Sequence, residues 1–201
     1  MANKKIKELG TPWKEPNVII GLPCQDVVCA NTAQSIAANI IEAKGIVSDI
    51  LVKQTCDIVS SRTWLVREAL KKGATHILFV DSDMFFASDT LNILLAHDKD
   101  IIGVDYNKRQ FPLQSLAVAV EESEVSKTEP YRVKAMGMGV VLIKLSIFEK
   151  MPIPWFNFGR GSEGQLVLGE DVWFINTARD AGIDSWVDPK IKVGHVGQYI
   201  Y

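Results

Sequence analysis

The chain has 201 residues, 47% of them apolar and 23% charged, and a formal net charge of −2. That length suits one domain with a sizeable buried core, and the balance excludes a disordered or fibrous chain and the basic surface of a non-specific nucleic-acid binder. No apolar run reaches the roughly 18 residues of a membrane helix, and MANKKIKELG lacks the apolar segment of a secretory signal, so a cytoplasmic protein is expected.

In chain order, residues 1–16 read as a polar arm in which Pro12 and Pro16 discourage regular structure. The remainder, 17–201, reads as one domain whose halves, 17–106 and 107–201, differ in pattern. The first half alternates strand-like runs with helical ones. NVIIGL (17–22), GIVSDILV (45–52), HILFV (76–80) and DIIGVDY (100–106) are the strands, and the helices fall at 31–44, 61–72 and 88–96. Gly73 stops the second helix, and Ser88 is a suitable N-cap for the third. Such β-α-β-α order predicts an α/β fold with a mostly parallel, doubly wound sheet.

The second half predicts shorter, mixed strands in QSLAVAVEE, YRVKAM and GVVLIKL. An aromatic, glycine-rich loop follows, PIPWFNFGRGSEG, which reads equally as a mobile lid over a sugar and as a surface loop anchored by Trp155, Phe156 and Phe158. A helix over 169–181 and a tail strand carrying KIKVGHVG complete the chain. Cys24, Cys29 and Cys56 make an odd count without a C-x-x-C pair, which predicts reduced, mostly buried thiols instead of disulfides or a structural zinc site.

Chemistry concentrates in three places. HILFV is nearly all apolar, as in a strand buried on both faces, so Asp81 and Asp83 of FVDSD sit at its carboxyl end, where open α/β sheets bind ligands. If the chain stays extended, both carboxylates face one side. Two carboxylates that close repel unless a cation compensates, and Mg²⁺ or Mn²⁺ is the economical one. Taken alone, the pair fits a turn before a helix as well. In GEDVWF, Glu170 and Asp171 open a helix, where they either complement its dipole or do acid–base work. Near the C-terminus, KVGHVG sets His195 among glycines, either as a structural histidine or as a metal ligand.

This ordered set resembles the GT-A fold of nucleotide-sugar glycosyltransferases of the family 2-like, D-x-D type. It is carried by NVIIGLPCQD, SSRTWLVREAL, FVDSD, GMGVVLIK, GEDVWF and VGHVG over roughly residues 17–197. The resemblance implies a GT-A-like sheet with a nucleotide-binding first half and an acceptor-side second half. It implies that Asp83 and His195, with Asp81 beside them, hold Mn²⁺ or Mg²⁺. Pro23, Arg62, Asp81 and Ser82 would meet the nucleotide of a UDP- or GDP-linked sugar, with Lys108 or Arg109 as further cations for the diphosphate. Asp171, with Glu170 as second choice, would be the base that activates the hydroxyl of an acceptor whose identity the chain does not disclose.

Three other readings stand beside this one. A sugar-nucleotide nucleotidyltransferase shares the fold, but GLPCQDVVCAN offers neither a glycine cluster nor a basic residue for a triphosphate. A phosphatase with a nucleophilic first aspartate would open its domain with D-x-D, whereas here the motif lies at 81–83 and continues into Met84-Phe85. A non-catalytic carbohydrate-binding protein of the same fold would have no need to keep Asp81, Asp83, Asp171 and His195 together.

Overall fold

The computed structural model describes residues 15–107 and 114–197. Most of the N-terminal arm and the loop cations Lys108 and Arg109 lie outside the described residues.

Seven successive buried residues form β1 (Val18–Cys24), the signature of a strand covered on both faces. After α1 (Ala30–Glu42), β2 (Val47–Gln54) alternates half-buried and exposed residues, as a one-sided edge strand does. The helix α2 (Ile58–Lys71) starts earlier than its apolar pattern suggests, because Asp57 caps it by accepting a hydrogen bond from Ser60 N at 3.2 Å. There follow β3 (His76–Val80), β4 (Met84–Phe86), α3 (Thr90–Ala96) and β5 (Ile101–Val104). The second half supplies β6 (Val118–Ala119), β7 (Tyr131–Ala135), β8 (Val140–Lys144), β9 (Gly159–Arg160), β10 (Leu166–Leu168), α4 (Glu170–Asp180), β11 (Ser185–Asp188) and β12 (Val193–His195).

The main sheet runs β2-β1-β3-β8-β5-β11-β7-β6. Only β8 and β7 run against the common direction, so the sheet is mostly parallel by strand direction, with the antiparallel pairings confined to these two strands. β8 comes from the second half of the chain yet lies between β3 and β5, and that insertion fills the centre of the sheet. Helices flank it. Leu65, Val66 and Ala69 of α2 pack with Ile19, Ile77 and Phe79 in one cluster, which also takes in Phe174 of α4. Ile36 of α1 and Leu91 and Leu94 of α3 pack with Val18, Leu78 and Val80 in the other.

Two strands escape the sequence pattern, one expectation needs correction, and one of two open readings gains support. β4 was invisible as a strand because its three residues, MFF, read only as an apolar continuation of D-S-D; it pairs antiparallel with β12 in a separate two-stranded sheet. β11 was missed because SWVD is short and ends in a carboxylate. That carboxylate, Asp188, is buried but satisfied, accepting from Lys190 N at 2.7 Å and meeting His97 Nε2 at 2.7 Å. Of the three free cysteines only Cys24 is buried; Cys29 is half-buried and Cys56 exposed. The aromatic loop is anchored at its start, as one of its two readings has it: Trp155 and Phe156 are buried against Phe148 and Phe174 with ring centroids 4.9 Å apart in each pair. Among the described residues no helix is long and apolar enough to cross a membrane.

Candidate functional site

Where β3 ends, the chain does not stay extended. Met84 N donates to Asp81 O at 3.3 Å, which bends D-S-D into a turn, so the two aspartates share a side through the turn and not through strand periodicity. Its backbone is held from three directions. Asp81 N donates to Gly139 O at 2.9 Å, Cys29 N donates to Ser82 O at 2.8 Å, and Val196 N donates to Asp83 O at 2.9 Å. Thr32 Oγ1 adds a 3.1 Å bond to Ser82 O. A loop pinned in this way presents its side chains with little conformational freedom left to lose on binding.

Above the turn lies an open cleft of about 420 Å³ lined by Pro23, Ile58, Arg62, Asp81, Ser82, Asp83, Glu170 and His195. It collects the end of β1, the first turns of α2, the end of β3, the start of α4 and the end of β12. Of the residues that sequence reasoning placed on nucleotide or metal, Pro23, Arg62, Asp81, Ser82, Asp83 and His195 reach one cleft, together with Glu170, while Lys108 and Arg109 lie outside the described residues. Asp171 is not among the lining residues. Its Oδ1 accepts from Val172 N at 2.7 Å, folded over the first turn of α4.

Arg62 organises the cleft from below. Its side chain is 2% exposed; Nη2 donates to Asp81 Oδ1 at 2.9 Å, and Nε stands 3.5 Å from Glu170 Oε1, an ion pair without a hydrogen bond. The guanidinium lies 5.2 Å from the Phe79 ring centroid. Burial alone would push its pKa down, but the charges of Asp81 and Glu170 outweigh that and hold it above its ordinary value. Arg62 is thus a fixed positive charge. Three carboxylates against one guanidinium still leave the cleft negative around Asp83 and His195.

His195 reaches Asp83 because β12 pairs with β4, with His195 opposite Met84. Nε2 of His195 then stands 3.5 Å from Asp83 Oδ1. Gly194 permits the approach: a Cβ there would lie 2.6 Å from Phe85 Cδ1.

Sequence reasoning missed Tyr106. Its hydroxyl accepts from Gly139 N at 2.9 Å, and its ring meets the His195 imidazole edge-on at 5.4 Å. Burial, then the charge of Asp81, raises the phenol pKa well above the ordinary range, so Tyr106 stays neutral. The signal that was available lies in GMGVV. A Cβ on Gly139 would sit 2.7 Å from the Tyr106 hydroxyl, and one on Gly137 would collide with the same oxygen.

The donors present can be tested against a divalent ion. Among the described residues no group of three or more His, Cys, Asp or Glu is arranged to hold a metal. Asp81, expected beside the metal, is bonded to Arg62. That leaves Asp83 and His195, separated by little more than the roughly 3 Å between neighbouring ligands of an octahedral ion. Such a pair fits Mg²⁺ or Mn²⁺ that draws its other ligands from water and phosphate oxygens, and does not fit a closed structural zinc site.

Neither a family profile nor a curated protein sequence matches the chain. Solved structures do. The structure of A197 from STIV superposes with a TM-score of 0.66 at 17% identity, covering 90% of this chain and 86% of that one. The inositol-1-phosphate CTP transferase from T. maritima superposes with a TM-score of 0.52 at 8% identity, covering 91% and 90%. At such identities the likeness concerns the fold alone, and with the sheet order and flanking helices described above the fold is an α/β GT-A-like one.

Proposed function

We propose that the protein is a metal-dependent glycosyltransferase that moves a sugar from a UDP- or GDP-linked donor to an acceptor hydroxyl. One observation carries the reading: Pro23, Arg62, Asp81, Ser82, Asp83, Glu170 and His195, drawn from five separate elements, line one cleft at the carboxyl ends of β1 and β3.

In this reading Asp83 and His195 hold Mn²⁺ or Mg²⁺, which when bound would neutralise charge on the diphosphate leaving group. Ser82 and Pro23 border the nucleotide. Arg62 acts from beneath the cleft floor, fixing Asp81 and Glu170 in place and offsetting part of their charge. Of the two acids on α4, Glu170 is engaged with Arg62, whereas Asp171 spends only Oδ1 on its own helix. Asp171 is therefore assigned to take the proton from the acceptor hydroxyl, with Glu170 as the alternative.

A second reading, synthesis of a sugar nucleotide from a sugar phosphate and a nucleoside triphosphate, draws support from the superposition on the T. maritima CTP transferase. Against it, residues 25–29, QDVVC, between β1 and α1 contain no glycine or cation to receive a triphosphate.

Nucleotide sugars screened by thermal shift with Mn²⁺ test the site first. Ligand at about 100 times Kd adds ~2.7 kcal/mol of stability. Transfer or hydrolysis of a stabilising UDP- or GDP-sugar would support the glycosyltransferase. Pyrophosphate-dependent release of nucleoside triphosphate from it would favour the second reading instead. No stabilisation by any diphosphate nucleotide, with or without metal, would reject both.

A further inference from the structure

On the far side of α2 from Arg62 lies a second cavity of about 430 Å³, lined by Lys53, Val59, Ser60, Thr63, Trp64, Arg67 and residues 153–156. It shares no lining residue with the D-S-D cleft.

Its walls are fixed. On one side, α2 is anchored by the fully buried Leu65, Val66 and Ala69. On the other, Trp155 and Phe156 are rooted in the aromatic core, and Pro154 O accepts a 3.2 Å bond from Trp173 Nε1 on α4. Neither wall needs to order when a ligand arrives, which removes one of the main costs of binding.

Its charge is one-sided. Lys53 and Arg67 line it, no carboxylate does, and among the described residues neither cation has an ion-pair partner. Lys53 Nζ instead stands 5.1 Å from the ring centroid of Trp64, itself 36% exposed. Ser60 and Thr63 bring hydroxyls to the same cavity, and because the Ser60 hydroxyl donates to Asp57 Oδ2 it is left to accept from a ligand.

We propose that this cavity binds a small anionic saccharide, a sugar acid or sugar phosphate, at a site separate from the D-S-D cleft. The anionic group meets Arg67 and Lys53 through charge-assisted hydrogen bonds. The sugar's C–H edge lies against the Trp64 indole, and its hydroxyls reach Ser60 and Thr63. A flat nucleobase suits the site less well, because it would leave the Ser60 and Thr63 side chains facing a ring instead of the hydroxyls of a sugar. The size fits one or two sugar units, within the range of ordinary small-ligand pockets.

The test uses the full chain labelled with ¹⁵N and follows the indole N–H resonance of Trp64, assigned by its loss in Trp64→Phe. Glucose 6-phosphate and glucuronate are titrated, with glucose and AMP as parallel arms. Saturable shifts of the Trp64 resonance by the two anionic sugars at millimolar concentration are expected, with glucose and AMP weaker by about tenfold. Arg67→Gln, at an exposed position, is expected to weaken anionic-sugar binding by roughly tenfold, and added salt to weaken it in the wild type. The proposal is overturned if neither anionic sugar moves the Trp64 resonance, or if AMP binds as well as they do. It is also overturned if Arg67→Gln, folded as judged by its spectrum, binds them unchanged. None of these outcomes depends on what the D-S-D cleft binds.

Discussion

His195 Nε2 stands 3.5 Å from Asp83 Oδ1 because the three residues after D-S-D pair with the last described strand. The proposed metal site is therefore built by a contact between the middle and the end of the chain, and it is only as good as the β4–β12 pairing.

That pairing can be perturbed without touching either donor. Gly194→Val places a side chain where Phe85 Cδ1 lies 2.6 Å from the Cβ position. If Asp83 and His195 hold the ion together, Gly194→Val should lose most of the Mn²⁺-dependent stabilisation by UDP or GDP, as Asp83→Asn and His195→Gln should. Thermal shift with and without Mn²⁺ measures this. Unchanged metal dependence in Asp83→Asn would remove the metal assignment.

The two acids of α4 should separate. Asp171→Asn is expected to keep donor binding while lowering transfer by ~10²–10⁴-fold, the usual contribution of a general base. Glu170→Gln removes a negative charge 3.5 Å from the buried Arg62 guanidinium and should change nucleotide binding more than it slows the bound donor. Comparing kcat with KM for each variant distinguishes the roles, and the reverse pattern would exchange them.

Gly139→Ala tests the seat of Tyr106. The added methyl would lie 2.7 Å from the phenol oxygen and 2.9 Å from Met84 Sδ, both in buried surroundings. Overpacking of this kind costs ~1–3 kcal/mol, readable as a lower urea midpoint at unchanged slope. Tyr106→Phe keeps the ring against His195 but leaves Gly139 N without its acceptor, and should cost less than the alanine variant.

At the opposite end of β3, His76 predicts a pH dependence of stability. Burial, then the charge of Lys144, lowers its pKa, with Asp98 acting weakly the other way. A histidine kept neutral by folding binds fewer protons than it does unfolded, so stability is intact above the unfolded value of about 6.5 and declines as pH falls below it. Urea unfolding of the wild type between neutral and mildly acid pH should show this slope. His76→Gln should flatten it.

Much of this molecule could be read from composition and periodicity. The buried runs VIIGL and HILFV became neighbouring central strands, and the carboxyl end of HILFV became the cleft floor, because burial on both faces leaves an unmistakable apolar signature. What stayed hidden depended on pairing at long range. MFF and SWVD are too short to announce strands, and nothing local ties His195 to Asp83 or Tyr106 to Gly139. Glu170 and Asp171, adjacent in sequence, were indistinguishable until the helix start turned one toward Arg62 and the other onto its own backbone.

The three backbone bonds that hold D-S-D have a consequence for how the cleft would report its own state. Their amide protons belong to Cys29, Asp81 and Val196, at the entry to α1, the end of β3 and the end of β12. These segments do not adjoin along the chain, yet each bond ends on the same three-residue turn. Amide exchange at the three positions should slow together when a ligand seats on Asp83 and quicken together when the turn is loosened. A probe at any one of them would then serve as a remote gauge of the other two.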